Sequence, residues 1–227
     1  KVETVCTTDD PIDNLAWHKE IMDQNLPVNV YPTWRPDQVL GIKNPEAFNS
    51  YLGKLEQASD VTIKKYDDLI SALRNRHDYF DSVGCKSSDH GIETFYEVDY
   101  TEQEIRNIFD KARGGNAVSK EEAQKFQMAL LHELALMNHE KGWVQQIHYG
   151  VMRNNNTRMY EQLGKDTGFD SIGDKPIASA MVKFFDKLDK KDKLTKTIIY
   201  NINPNDNAMV ATMIGNYQDG SVPGKMQ

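Results

Sequence analysis

Five short apolar runs recur along the chain, each followed by a polar cluster and then by a stretch with helical spacing. Residues 2–6 precede Thr7-Thr8-Asp9-Asp10-Pro11, and residues 28–31 precede Trp34-Arg35-Pro36-Asp37. Residues 84–86 precede Ser87-Ser88-Asp89-His90, residues 143–147 precede His148, and residues 197–200 precede Asn201-Ile202-Asn203-Pro204. Strands that alternate with helices predict an α/β fold built on a parallel sheet. In a β/α barrel the polar residues that do chemistry sit at the C-terminal ends of the strands. Arg, Asp, His and Asn all fall at such ends here. Five strands are too few to close eight-stranded walls, so the pattern predicts an incomplete (β/α)8 TIM barrel, a sector of something larger.

Helical spacing predicts helices over 11–24, 45–58, 63–83, 101–113, 119–140, 157–163, 177–189 and 205–217. Ser119 with Glu122 reads as a capping box, and Phe126, Leu130, Leu131, Leu134 and Met137 form an apolar stripe behind it. The steps between strands are uneven, and the excess lies in helices between about 37 and 83 and between about 92 and 141. The chain therefore divides into a barrel part over 1–36, a mainly helical insertion over 37–141 interrupted by a barrel strand near 84–91, and a second barrel part over 142–227.

Composition narrows the class. With 27% charged residues and a formal net charge of −7, the chain does not present a general nucleic-acid surface. One basic pocket for a small anion remains compatible with that balance. No apolar run is long enough to span a bilayer, and no signal peptide is visible. Two cysteines, Cys6 and Cys85, suit buried thiols in a reducing cytoplasm rather than a disulfide or metal framework. The chain opens almost directly on a strand and stops just after a Pro-Gly turn, so both ends read as cut from a longer protein.

His148 is the leading candidate for chemistry, because an imidazole at a strand end can ligate a divalent metal or shuttle protons, with an unperturbed pKa of about 6.5. The alternative is a histidine hydrogen-bonded under a loop. Arg35 can hold a carboxylate through two parallel hydrogen bonds, or can pair with Asp37. Trp34 can wall a pocket or pack in the core. The run Arg153-Asn154-Asn155-Asn156 offers many donors and acceptors for sugar hydroxyls, or else forms a turn held by its own side chains. Asp89 and His90 resemble a base with its orienting carboxylate, but neighbours on a strand point to opposite faces. Asp9, Asp10, Asp170 and Asp174 read as caps and turn formers, and His18, His77, His132 and His139 as packing or surface residues. No His-x-His, His-Glu-x-x-His, Walker A loop, Gly-x-Gly-x-x-Gly or Gly-x-Ser-x-Gly is present.

Taken in order, Cys6-Thr-Thr-Asp-Asp-Pro-Ile-Asp13, Trp34-Arg-Pro-Asp37, Ser88-Asp-His90, Gly142-Trp-Val-Gln-Gln-Ile-His148, Arg153-Asn-Asn-Asn-Thr-Arg-Met159, the run from Asp166 to Asp174 and Ala211-Thr-Met-Ile-Gly-Asn216 resemble the uronate isomerase (glucuronate isomerase) family. The resemblance implies an amidohydrolase-type metal-dependent barrel that interconverts D-glucuronate with D-fructuronate, and D-galacturonate with D-tagaturonate. It implies that His148 matches the histidine ending the fifth barrel strand, close to a divalent metal (zinc or manganese), and that Arg35 matches an arginine associated with the substrate carboxylate. The chain would hold strands two to six and the start of the seventh, at Lys225. The family's His-x-His pair, its His-Tyr pair and its Asp-Ser-Arg motif have no counterpart here. The piece alone is therefore expected to lack the main metal ligands, to bind no metal and to be inactive. Its expected ligand is a sugar acid, with neither nucleic acid nor membrane as partner, and its open sheet edges are expected to be disordered or to pair with a second copy. Two other readings stay open: a metal-dependent hydrolase of the same superfamily, and a non-catalytic helical interaction module.

Overall fold

The structure, a computed structural model, describes residues 1–24, 26–220 and 222–227. Its strands are β1 (Thr4–Cys6), β2 (Asn29–Tyr31), β3 (Ser87–Ile92), β4 (Val144–Tyr149), β5 (Val151–Met152), β6 (Ser171–Ile172) and β7 (Thr197–Asn201). Its helices are α1 (Ala16–Asp23), α2 (Pro45–Ser59), α3 (Tyr66–Ser82), α4 (Glu102–Arg113), α5 (Lys120–Lys141), α6 (Thr157–Leu163), α7 (Ala178–Asp189) and α8 (Asn207–Gly215).

Parallel pairing carries the architecture. β1 pairs with β2, and β3–β4–β7 form a second parallel ladder. Parallel bridges from Asp9 to Trp34 and from Trp34 to Ser88 join the two, and a further bridge adds Met226 beside Thr197. The Met226 segment runs alongside β7 through bonds from Thr197 N to Lys225 O (2.8 Å) and from Ile199 N to Gln227 O (2.8 Å). Successive strands thus lie side by side in chain order, with helices between them, as right-handed β/α connections require. β5 and β6 are a short antiparallel pair that the periodicity did not predict.

Two predicted elements begin later than expected. The helix expected at Pro11 starts at Ala16, because Asp10 and Asp13 side chains accept from the Ile12 and Leu15 amides and hold 10–15 as turns. Leu15 then takes a left-handed φ of 51°. The strand expected over 84–86 starts at Ser87, because residues 83–85 still close α3 through bonds from Val83 N to Tyr79 O and Cys85 N to Phe80 O. The polar cluster 87–90 is therefore the strand itself, and His148 likewise lies inside β4 rather than after it. Ser119 caps α5 with Glu122 as the capping box predicts, and Gly142 ends it at φ 65°.

The buried face of the central ladder explains how polar residues enter a strand. In-register neighbours on parallel strands share a face. Ser88, Gln145 and Thr197 form one such row, His90, Ile147 and Ile199 the next, and all face the helices. Their polar groups are joined to α3 and α5: Asn138 donates to Ser88 Oγ (2.8 Å) and to Gln145 Oε1 (3.2 Å), and His77 Nε2 meets Asn138 Oδ1 (3.2 Å). His90 Nε2 lies 3.0 Å from Ser88 Oγ. His77 stacks on Trp143 with centroids 3.8 Å apart, and Trp34 packs edge-on against His77 and Phe80. Above this seam, α2 to α5 share one apolar core with Leu15, Trp34, Cys85 and Trp143, while β4, β7, α7 and α8 enclose a second.

Candidate functional site

The opposite face of the same strands builds a different surface. Asp89, Gln146 and Ile198 form one row there, and Gly91, His148 and Tyr200 the next. Arg35 joins them from the segment after β2, where its amide donates to Asp9 O (2.9 Å) while Asp89 N donates to Trp34 O (2.9 Å). Arg35, Gly91 and His148, together with Glu93, Arg153, Asn155 and Lys175, line a cavity of about 500 Å³.

Asp89 ties the site together. Arg35 Nη1 donates to its Oδ2 at 2.9 Å, and His148 Nδ1 lies 2.7 Å from its Oδ1. A carboxylate only accepts, so in the neutral ring Nδ1 carries the proton and the lone pair is on Nε2. The ring is held flat on Tyr200, with centroids 4.3 Å apart and planes 4° apart, and Tyr200 Oη donates to Gln146 Oε1 (3.0 Å). Arg35 is fixed from a second side, because its Nε donates to Asp37 Oδ2 at 2.8 Å. Burial works against the guanidinium charge, but Asp37 and Asp89 outweigh it and hold the Arg35 pKa above its ordinary value. Burial pushes the Asp37 carboxyl up despite Arg35 and the Gly91 amide that donates to it. Gly91 has a steric reason to be glycine, since a Cβ there would land on Arg35 Nη2.

The far wall is the excursion between β4 and α7. Arg153 Nη1 donates to Asp170 Oδ2 (2.7 Å), whose other oxygen accepts from Asn154 N (2.8 Å). These bonds hold the Asp170 carboxyl below its usual range, the Asn154 amide more than Arg153. Lys175 Nζ pairs with Glu93 Oε1 across the cavity rim.

The structure brings Arg35, His148, Arg153 and Asn155 to one cavity. It does not bring Trp34 there, and that expectation is corrected. Trp34 is fully buried on the helical side, because the register with Ser88 turns its side chain away from Arg35. The asparagine run divides by role. Asn155 lines the cavity, although its amide already donates to Met152 O and Ser171 Oγ. Asn156 instead caps α6 by accepting from Met159 N (3.1 Å), and Asn154 occupies a left-handed turn at φ 56°. Asp89 and His90 do point to opposite faces, with His90 buried against Ser88. Sequence reasoning missed Lys175, Glu93, Gly91 and Tyr200, whose spacing carried no signal. It named Asp89 without its bridging role, which only strand register reveals.

The family model of glucuronate isomerase matches residues 1–227. The chain is 58% identical over 226 residues to a uronate isomerase of Bacteroides fragilis, covering 100% of this chain and 48% of that one. It is 52% identical to the uronate isomerase of Cellvibrio japonicus, again over 48% of the relative. The chain thus spans about half the length of the curated relatives it matches. Among solved structures, the uronate isomerase of Thermotoga maritima superposes with a TM-score of 0.88 at 28% identity, over 94% of this chain and 47% of that one. Glucuronate isomerase of Caulobacter crescentus superposes with a TM-score of 0.86 at 26% identity, over 99% and 45%.

Proposed function

The chain belongs to the glucuronate isomerase family, and on that premise we propose that it forms part of an aldose–ketose isomerase acting on uronates. The reaction moves a hydrogen between C1 and C2 of the open-chain sugar acid, interconverting D-glucuronate with D-fructuronate and D-galacturonate with D-tagaturonate. The side-by-side order of the parallel strands, with the Met226 segment beside β7, supports reading the chain as strands two to six and the start of the seventh of a (β/α)8 barrel. On that reading α2 to α5 belong to the mainly helical insertion.

The observation that carries the proposal is Arg35, locked between Asp37 and Asp89 at the floor of a cavity that also holds His148, Arg153 and Lys175. A guanidinium fixed on two sides is oriented before the ligand arrives, so little rotamer freedom is lost when a carboxylate docks. Arg35 anchors the sugar-acid carboxylate, and Asn155 and Arg153 meet the hydroxyls. The Nε2 of His148 is the group placed to hold or move a proton, with its ring orientation set by Asp89 and Tyr200.

The family resemblance implies a divalent metal, zinc or manganese, which would polarise the substrate carbonyl. Among the described residues, however, no group of three or more His, Cys, Asp or Glu comes together to hold an ion. His148 is one donor, and one donor is not a site. The chain alone, supplied with zinc or manganese, is expected to show no uronate turnover in a coupled ketouronate assay. Among the described residues no helix is long and apolar enough to cross a membrane. We propose a cytoplasmic location and pairing of the exposed β1 edge with a second copy.

Calorimetry with D-glucuronate and D-glucose tests the reading. Glucuronate is expected to bind and glucose to bind at least about tenfold more weakly, with R35M erasing the difference. Equal binding of the two sugars would end the proposal.

A further inference from the structure

A second hollow of about 450 Å³, sharing no lining residue with the Arg35–His148 cavity, lies where α3, α4, α5 and α7 meet. A smaller pocket of about 130 Å³ adjoins it through the same Tyr100, His132 and Lys187. His132 is 6% exposed, and its Nε2 has no hydrogen-bond partner. A buried ring nitrogen without a partner is costly in an apolar setting. Lys187 Nζ donates to Tyr100 Oη at 2.7 Å and lies 4.3 Å from the centre of the same ring. Among the described residues neither Lys187 nor Lys191 makes an ion pair with a carboxylate. Arg106, by contrast, is held by Asp67 and Glu102. Of the cations lining the hollow, Lys187 near the end of α7 and Lys191 just past it are thus the two without a carboxylate partner among the described residues. Apolar walls from Ile70, Ile105 and Leu136 and the rings of Tyr66 and Tyr100 surround the remaining space.

We propose that this hollow is a binding site for a small organic anion with a flat or apolar body, its anionic head held by Lys187 and Lys191 with His132 Nε2 donating to it. The head supplies the partner that His132 lacks and screens the two lysines from one another. Their mutual repulsion is visible in Lys187, whose pKa is lowered first by burial and next by Lys191. Glu133 also faces the hollow, and burial raises its carboxyl above the ordinary range. The body stacks against the tyrosines, as rings do on aromatic faces.

Benzoate is the probe, with benzyl alcohol as its neutral counterpart, and the readout is the His132 imidazole resonance together with calorimetry on the full chain. Benzoate is expected to give a saturable shift of His132, and benzyl alcohol to bind at least about tenfold more weakly. The double variant K187M/K191M loses the preference, K187R keeps it, and R35M, in the other cavity, leaves it unchanged. Thermal melts of all variants report whether each is folded. Absence of a saturable response, equal binding of benzyl alcohol, undiminished binding to the folded double variant, or loss of binding in R35M each overturns the assignment.

Discussion

Lowering the pH from 7 to 5 should destabilise this protein through its buried imidazoles, and the size of the effect can be worked out. His77 and His90 lie in the seam between the central ladder and the helices, 2% and 0% exposed. Burial pushes both down from 6.5 to about 4. The unfolded chain therefore takes up a proton more readily than the folded one between 6.5 and 4. Stability is fully present above that window and falls as pH drops through it. The gap converts to about 3 kcal/mol per histidine once the whole window is crossed, at about 1.4 kcal/mol per pH unit. Between pH 7 and 5 each histidine costs about 2 kcal/mol, and the pair about 4. Against a typical stability of about 5–15 kcal/mol this is enough to bring unfolding into view near pH 5. The raised carboxyls of Asp37 and Glu133 act in the opposite sense, since they protonate earlier when folded. A variant comparison cancels them. Urea titrations at pH 7, 6 and 5 should show H90Q losing about 2 kcal/mol less than the parent across that range. An identical loss in both proteins, or an NMR titration of His90 centred near its unfolded value, would refute the argument.

Other expectations concern the site and the core. G91A should push Arg35 off Asp37 and Asp89, costing about 1–3 kcal/mol in stability and most of the glucuronate affinity, as melts and calorimetry would report. D89N should weaken glucuronate binding about tenfold or more while leaving the fold intact by circular dichroism, because it loosens Arg35 and frees the His148 ring. W34A should lower stability by about 3–5 kcal/mol in urea titrations, as expected for a large buried ring outside the cavity. Light scattering should detect a second copy at high concentration, suppressed by V5K on the exposed edge strand; a monomer at all concentrations would remove the edge-pairing proposal.

Much of this molecule could be read along the chain. The alternation of apolar runs and helical stripes marked the parallel α/β organisation and the positions of α2 to α5, because periodicity and capping are local properties. Arg35, His148, Arg153 and Asn155 were singled out from residue type and place, and they line one cavity. Side-chain direction was another matter. Trp34 and Arg35 are neighbours in sequence but face opposite sides of the sheet, and Ser88 and His90 fill a strand that no apolar pattern announces. Those outcomes depend on strand register and on polar partners from α3 and α5, at His77 and Asn138, the latter 50 residues from Ser88. The same holds for Asp89, whose two oxygens join residues 54 and 59 positions distant. Local sequence sets which elements form. The meeting of distant side chains, and hence the site, is settled only when the elements pack, because a hydrogen bond or a buried row has meaning only between groups that folding has brought together.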